Sequence, residues 1–428
     1  MKISSCLIVK NESENIARCL ESQRNIADEI IVVDTGSTDN TKDIALSYGA
    51  KIYDFEWNNN FGDAKNFALS KASGDWIIFL DADEYFDKNT QKNLSFVIKR
   101  INNDKSYDSI LFKMLHTEGF NGRVISVNPA VRAFRGKQKI RFVGAVHEQP
   151  VNKDNTLYAA NITDYSLTVY HTGYSSVLLP EKVNRNLEIL KKEIENNNIS
   201  NLTYYYMSSI YNNLNNPEES VKYALLALKE PGFDSTILAY QPYVFLIDNM
   251  MKLRDKYTFE EIEKYIEEAL SRYPTHPEIL YFVGNVRKEQ RNYSEAIEYY
   301  LKAIKCNENF NLLLNNNFPA RLEYVYFNLG ELLKKTGNPV KALDYYFESL
   351  KINKHNFDTL KGLFELIKDQ KPAEIILFLN GIYDKENKTD LVFLNTAMAN
   401  LGNSILANYY YVQYEKIFSC QGANTAEK

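Results

Sequence analysis

The sequence lacks the features that mark several specialised classes of protein. Its 428 residues contain four cysteines and no Cys-x-x-Cys pair, so neither a disulfide framework nor a cysteine-bound zinc site is expected. No apolar run approaches the ~18 residues that a membrane span needs, and the chain enters a strand directly, without a signal segment. Basic (50) and acidic (55) residues nearly balance, which argues against a nucleic-acid partner. We therefore expect a cytoplasmic protein without a membrane span.

Glycine-rich phosphate-binding loops are also missing. The chain contains no Gly-x-Gly-x-x-Gly fingerprint and no Gly-Lys-Ser/Thr, which argues against dinucleotide-binding and P-loop proteins. A ligand that carries phosphate would then need another positive group, and a metal ion supplies one. Cys6 and Cys19 lie within apolar faces, and we expect them to be buried free thiols.

The stretch that carries most information is residues 76–86, Trp-Ile-Ile-Phe-Leu-Asp-Ala-Asp-Glu-Tyr-Phe. Five apolar residues predict a strand buried on both faces, and Asp81 and Asp83 follow where it ends. Two carboxylates at this spacing point the same way if the strand continues and converge if the chain turns. They repel each other unless a cation joins them. The stretch therefore predicts a divalent-metal site for an anionic substrate.

Other interpretations of the acidic residues are weaker. An EF-hand loop needs glycine at its sixth position, where this chain has Phe86. Asp34-Thr35-Gly36-Ser37 spells the aspartic-protease phrase, but such a site needs two of these loops and does not explain the surrounding α/β order. Acidic residues after strands also serve as simple solubilising groups. Because Asp34 ends a neighbouring predicted strand, we favour the metal–nucleotide site.

The first part of the chain alternates strands and helices. Apolar runs at 3–9, 29–34, 51–55 and 76–80 are separated by segments with helical spacing at about 16–20, 41–48 and 63–72. A helix at about 90–102 and strands at 109–114, 131–134 and 166–170 follow. This order predicts an α/β domain of residues 1–175 with a doubly wound, mostly parallel sheet.

Residues 176–428 are predicted to be all-helical and contain an internal repeat. In each copy a glycine lies 12 residues before an alanine, an aromatic follows four later, and a small residue three after that. The two copies are Gly284, Ala296, Tyr300 and Ala303, and Gly330, Ala342, Tyr346 and Ser349. Weaker copies lie at about 220–231 and 262–274, and residues 357–379 are predicted as a degenerate last unit. The pattern resembles tetratricopeptide repeats, with a frayed tail after residue 421.

Further polar residues near strand ends are candidates for the same site. His147 lies beside Glu148, and His171 follows a strand and precedes Gly173. A lone histidine is more often a satisfied polar residue than a ligand, but these positions favour function. Arg132 and Arg135 either hold a diphosphate or face solvent.

Several of these stretches resemble the family 2 nucleotide-sugar glycosyltransferases of GT-A fold. The resemblance lies in residues 2–12, 31–41 and 74–84 and covers about residues 1–175. The helical repeats are similar to a subgroup with a tetratricopeptide-like tail. Residues 144–148 and 169–174 are similar to the members that modify bacteriocin peptides of the sublancin and thurandacin type.

The resemblance implies roles for individual residues. It implies that Glu12 and Asp34 contact the uracil and ribose of a UDP-sugar. It implies that Asp81 and Asp83 bind Mn²⁺ or Mg²⁺ on the diphosphate, and that His171 completes the metal shell. The catalytic base would be Glu148 or His147 beside it. Arg132 and Lys65 are further candidates for diphosphate contact, and Lys65 replaces a common arginine, so it keeps the charge but loses the bidentate fork.

The implied function is inverting transfer of a hexose from a UDP-sugar, with UDP-glucose as the expected donor. The expected acceptor is a cysteine thiol or serine hydroxyl of a peptide bound by the helical repeats, which also offer a homodimer interface. One alternative is transfer to a glycan or a lipid-linked sugar. Another is a non-catalytic scaffold, against which the presence of Asp81, Asp83, Glu148 and His171 argues.

Overall fold

The computed structural model describes residues 1–118, 122–136, 140–161, 166–173, 179–197, 199–310 and 314–418. Tyr174, the predicted domain boundary at 175, Cys420 and the predicted frayed tail lie outside these residues. The chain divides into two compact units. Unit 1 is Met1–Pro274 with Asn309–Pro319, and unit 2 is Thr275–Glu308 with the chain from Ala320 onward. Among the described helices, none is long and apolar enough to cross a bilayer.

Within the part of the chain that the structure describes, unit 1 contains the strands and the first nine α-helices. Its strands are β1 Ile3–Val9, β2 Glu29–Asp34, β3 Lys51–Asp54, β4 Trp76–Phe79, β5 Glu84–Phe86, β6 Ser109–Thr117, β7 Val124–Arg135, β8 Arg141–Val143, β9 Gln149–Val151, β10 Ala159–Ala160 and β11 Thr168–His171. Its helices are α1 Ile16–Glu21, α2 Thr41–Ser47, α3 Phe61–Lys71, α4 Lys88–Asn102, α5 Leu179–Glu195, α6 Thr203–Asn213, α7 Pro217–Ala227, α8 Gln241–Lys252 and α9 Phe259–Arg272.

The main sheet has the order β3-β2-β1-β4-β7-β6-β11-β5, with β10 beside β6. The first four strands pair in parallel, as predicted from the βαβ order. Strand β7 then pairs antiparallel with both β4 and β6. The sheet is therefore mixed, because β6 and β7 follow each other through a short connection and strands joined in this way run antiparallel.

Both faces of the central strands are covered. Along β1, Cys6 packs in one apolar layer and Leu7 in the layer on the other side of the sheet. Along β4, Ile77 and Ile78 divide in the same way. This alternation confirms that the apolar runs form strands buried on two faces. Cys6 and Cys19 are buried free thiols, as predicted, and burial raises the pKa of each.

Some local features were not predicted. The N-cap position of α1 is Asn15, which makes no side-chain cap bond. Asn11 adopts a φ of 55° and accepts a hydrogen bond from the backbone of Thr38, so it connects two loops. Strand β5 was not foreseen, because three residues after a turn carry no periodic signal.

Unit 2 consists of paired helices. They are α10 Pro277–Glu289, α11 Tyr293–Glu308, α12 Leu322–Lys335, α13 Pro339–Ile352, α14 Phe357–Ile367, α15 Pro372–Leu379, α16 Lys388–Asn400 and α17 Ser404–Phe418. The glycine and the tyrosine of each repeat copy lie in close contact. A Cβ on Gly284 would lie 2.7 Å from the Tyr300 ring, and one on Gly330 would lie 2.6 Å from the Tyr346 ring. Glycine is therefore what lets each tyrosine pack against the facing helix.

The second of these contacts predicts a stability effect. Gly362 on α14 approaches the Tyr346 ring as closely as Gly330 does, so the ring cannot move away. Gly330→Ala should therefore destabilise the protein by about 1–3 kcal/mol through overpacking, despite the better helix propensity of alanine. Urea denaturation followed by circular dichroism measures the change. Lys341→Ala, on an exposed face of α13, should have no such effect, and equal stability of both variants would contradict the packing argument.

Candidate active site

The predicted functional residues converge on one cleft of about 480 Å³ in unit 1. The cleft lies beyond the carboxyl ends of β1 and β4, where open α/β sheets bind ligands. The predicted residues that line it are Glu12, Lys65, Asp81, Asp83, Arg132, His147, Glu148 and His171. Asp34 lies beside it, next to the lining residue Thr35. The structure thus brings together residues spread over the whole predicted α/β domain.

Asp83 and His171 meet because two short strands pair. Strand β5 runs antiparallel to β11 and places Glu84 opposite His171. The backbone N–H of Thr172 also donates to the carbonyl of Asp83. As a result Nε2 of His171 lies 3.4 Å from Oδ2 of Asp83. Burial lowers the pKa of His171, but the Asp83 carboxylate raises it on balance.

Asp81 faces a different set of partners. Its Oδ1 lies 3.0 Å from Nζ of Lys65, and its Oδ2 lies 3.9 Å from the guanidinium of Arg132. Burial would raise the pKa of Asp81, but the Lys65 and Arg132 cations lower it on balance. The two aspartates therefore do not form a converging pair, because the turn after β4 directs them to different neighbours.

Arg132 is held mainly by Glu84. Its Nε and one terminal nitrogen each lie 2.7 Å from an oxygen of this carboxylate, which is 1% exposed. The planar fork of arginine suits this bidentate contact.

Arg135 neither lines the cleft nor faces solvent, so both alternatives predicted for it were wrong. It is buried over the Trp76 ring and donates to backbone carbonyls at the end of α4, including that of Ile101.

Glu148 and His147 lie on the turn between β8 and β9. Oε1 of Glu148 lies 2.7 Å from Nζ of Lys65, so Lys65 bridges Glu148 and Asp81. His147 adopts a φ of 55°, and its ring stacks on Tyr206 of α6 with centroids 3.6 Å apart. Desolvation in the cleft and the Arg185 cation lower the pKa of His147 to about 4. His147 is therefore neutral at pH 7, and the lowered pKa makes it a weaker base than an ordinary histidine.

The nucleotide end of the predicted site contains Asp34 and Glu12. Oδ1 of Asp34 accepts hydrogen bonds from the backbone of Gly36 and Ser37 at 2.9 Å each. Its Oδ2 is buried and has no hydrogen-bond partner among the described residues. Such an oxygen is costly to leave unsatisfied and suits a hydroxyl donor on a ligand. Glu12 lines the cleft and accepts from Asn15.

The donor set fits a divalent metal in type, but it is not preformed. Among the described residues, no group of three or more His, Cys, Asp or Glu side chains is arranged to hold a metal ion. Asp83 and His171 face each other, and Gly173 leaves room beside them: a Cβ there would lie 1.9 Å from Oδ2 of Asp83 and 3.1 Å from Nε2 of His171. Asp81 instead pairs with Lys65. The carboxylate oxygens suit both Mn²⁺ and Mg²⁺, whereas the imidazole suits the transition metal Mn²⁺ better than Mg²⁺.

Comparison with known proteins assigns the two regions. Residues 4–143 match the family model for glycosyl transferase family 2. The chain contains a family 2 glycosyltransferase domain. Residues 277–310 and 324–356 match models of tetratricopeptide repeats, which confirms the predicted repeat copies.

Individual relatives agree with this assignment. The chain is 28% identical to the SPbeta prophage-derived glycosyltransferase SunS of Bacillus subtilis over 65% of each chain. It is 34% identical to an uncharacterized glycosyltransferase of Rickettsia prowazekii over 42% of this chain and 54% of that protein. Glucosyl-3-phosphoglycerate synthase from Mycobacterium tuberculosis, solved with Mn²⁺ and UDP, is 25% identical over 28% of this chain and 45% of that one. The TM-score of this comparison is 0.23. The chain thus spans less than two thirds of each relative.

The structure also reveals residues around the family 2 domain that sequence reasoning missed. His116, at the end of β6, lies 2.8 Å from His171. Burial, followed by the charges of His171 and Arg132, lowers the pKa of His116 to about 3. Tyr206 and Arg185 reach the cleft from helices that the sequence analysis assigned to the repeats. The position of His116 at a strand end was a usable signal, whereas nothing local marked Tyr206 or Arg185.

The Arg132–Glu84 contact predicts a clear stability effect. Arg132→Met should lower the free energy of unfolding by about 3–5 kcal/mol, because it leaves a buried carboxylate without its cation. The double variant Arg132→Met/Glu84→Gln should recover part of the loss, since the second change removes the stranded charge. Urea denaturation measures both.

A matched control is the exposed pair Arg24–Glu21. Arg24→Met should leave the unfolding free energy unchanged, because exposed ion pairs contribute little. An Arg132→Met variant as stable as Arg24→Met would contradict the structural role of the buried pair.

Proposed function

We propose that the chain is an inverting, divalent-metal-dependent glycosyltransferase. The donor is a UDP-hexose, with UDP-glucose as the first candidate, and the acceptor is a cysteine thiol or serine hydroxyl of a peptide. The observation that carries the proposal is the meeting of Asp83, His171 and Gly173 beside Asp81 at the end of β4 in a family 2 domain. Similarity to the glycosyltransferase SunS is consistent with it.

The reaction is a single in-line displacement. The acceptor sulfur or oxygen bonds to the anomeric carbon while the bond from that carbon to the UDP oxygen breaks, which inverts the configuration. Asp81, Asp83 and His171 would hold a divalent metal ion, which would supply positive charge to the diphosphate. Lys65 lies between Asp81 and Glu148, so its ammonium offsets part of the negative charge in the cleft.

The acceptor must lose a proton, and we propose that one of two neighbouring groups takes it. Glu148 projects into the cleft and has one oxygen bound to Lys65. His147 is neutral and held by Tyr206. We retain Glu148 as the first candidate, with His147 as the second. A general base contributes most when the acceptor is a hydroxyl, since a thiol with a pKa near ~8.5 is partly ionised already.

The peptide acceptor is supported by the repeats and by the resemblance to enzymes that modify bacteriocin peptides. Stacked helix pairs form the concave surfaces that bind extended peptides. Arg185 and Tyr206 line the cleft, so helices that follow the sheet offer contacts close to the reacting atoms.

The metal role predicts a loss of activity in one variant. Asp83→Asn should abolish turnover of UDP-sugars in the presence of Mn²⁺, because it removes the negative charge of one proposed metal ligand. Mass spectrometry of Cys- and Ser-containing peptides incubated with several UDP-sugars measures transfer, and UDP release measures hydrolysis. Asp43→Asn, exposed on α2, is the matched control and should stay active. Wild-type protein without metal-dependent turnover of any UDP-sugar would favour a non-catalytic scaffold, and transfer to glycans alone would overturn the peptide acceptor.

The base role predicts a difference between acceptors. Glu148→Gln should reduce serine glycosylation more than cysteine glycosylation, because the hydroxyl depends on proton removal and the thiol does not to the same degree. Initial rates with paired peptides that differ only in Ser or Cys measure the ratio. Equal losses for both acceptors would show that Glu148 acts otherwise, for example through Lys65.

A further inference from the structure

A hydrogen-bonded series of side chains ends at His171. Nδ1 of His171 lies 2.8 Å from Nδ1 of His116, and Nε2 of His116 lies 2.9 Å from the amide nitrogen of Asn128. Oδ1 of Asn128 and Oδ1 of Asn317 each lie 2.8 Å from Oγ of Ser126. The series therefore connects the predicted metal ligand to a residue between helices α11 and α12.

The sheet sets this arrangement. The strand register places His171 beside His116, and His116 beside Ser126, across β11, β6 and β7. Asn317 is held against β7 because Asn316 and Val127 exchange two backbone hydrogen bonds of 2.9 and 3.0 Å. The segment Asn309–Pro319 groups with unit 1, although the chain on both sides of it belongs to unit 2. The connection between helices α11 and α12 thus forms part of unit 1, which contains the cleft.

The series can satisfy its hydrogen bonds in a direction that suits metal binding. A metal on Nε2 of His171 needs a lone pair there, which leaves the proton on Nδ1 to be donated to His116. A neutral imidazole carries one N–H, so His116 accepts at Nδ1 and donates from Nε2. If the amide of Asn128 is flipped, so that its oxygen and nitrogen exchange places, its oxygen accepts this bond from His116. Its nitrogen then donates to Ser126, and the Ser126 hydroxyl donates to Asn317.

We propose that His116, Asn128 and Asn317 are positioning residues that hold His171 in the tautomer and orientation that bind a divalent metal. The connection between α11 and α12 thereby completes the catalytic centre from outside the family 2 domain. This inference rests on the proposed function, because it requires His171 to be a metal ligand. Partners of this kind fix the ring and raise the basicity of the ligating nitrogen.

Mn²⁺ binding by the full chain with UDP tests the proposal. Electron paramagnetic resonance of unbound Mn²⁺ gives the affinity without relying on activity. His116→Phe should weaken Mn²⁺ binding by about 10–100-fold, and Asn317→Ala by about fivefold, the effect of one hydrogen bond. His116→Gln should recover part of the affinity, because a carboxamide both donates and accepts. In assays of turnover, the Mn²⁺ concentration for half-maximal rate should rise, while saturating Mn²⁺ restores the rate.

Controls separate the possible outcomes. Lys113→Gln lies on the same strand, β6, and should bind Mn²⁺ as wild type does. If His116→Phe and Asn317→Ala lower the melting temperature but bind Mn²⁺ normally, the series is only structural and the inference is wrong, while the proposed function stands. If wild-type protein binds no Mn²⁺ with UDP, or His171→Ala binds it as tightly as wild type, the proposed metal site and the inference both fall.

Discussion

The organisation of the cleft depends on how clustered carboxylates are neutralised at one edge of the sheet. The carboxylates are Asp81, Asp83, Glu84 and Glu148, and the cations beside them are Lys65 and Arg132. Like charges at such positions are unfavourable unless cations join them. Each of the two cations touches more than one carboxylate, so together they connect helix α3, strand β7, the turn after β4 and the turn before β9. These ion pairs therefore also link the elements mechanically.

Strand register then decides which side chains become neighbours. Strand β5 is three residues long, yet its pairing with β11 brings His171 to Asp83. Strand β6 lies on the other side of β11 and brings His116 to the far nitrogen of the same imidazole. His171 is therefore held from two sides by the backbone ladder of the sheet, which fixes positions more tightly than a loop does.

The helical region contributes to the structure in two ways: through packing between its helices and through residues that line the cleft. In unit 2, the glycine–tyrosine contacts that define the repeats serve packing alone, because each ring fills the space left by a missing Cβ. Helices α5 and α6 of unit 1 instead place Arg185 and Tyr206 in the cleft. The connection before α12 adds Asn317 beside β7. The same all-helical part of the sequence thus supplies both a packed array and individual residues of the site.

The sequence by itself determined the alternating strands and helices up to β4, the family 2 domain, the two repeat copies and most of the titratable residues that line the cleft, because periodicity and strand-end chemistry are local signals. It did not determine the partners of those residues. Tertiary structure decided that Arg132 binds Glu84, that Lys65 bridges Asp81 and Glu148, and that His116 supports His171. These contacts depend on the antiparallel entry of β7 and on the register of β5 and β11. No local pattern encodes them, because they join residues far apart in the chain.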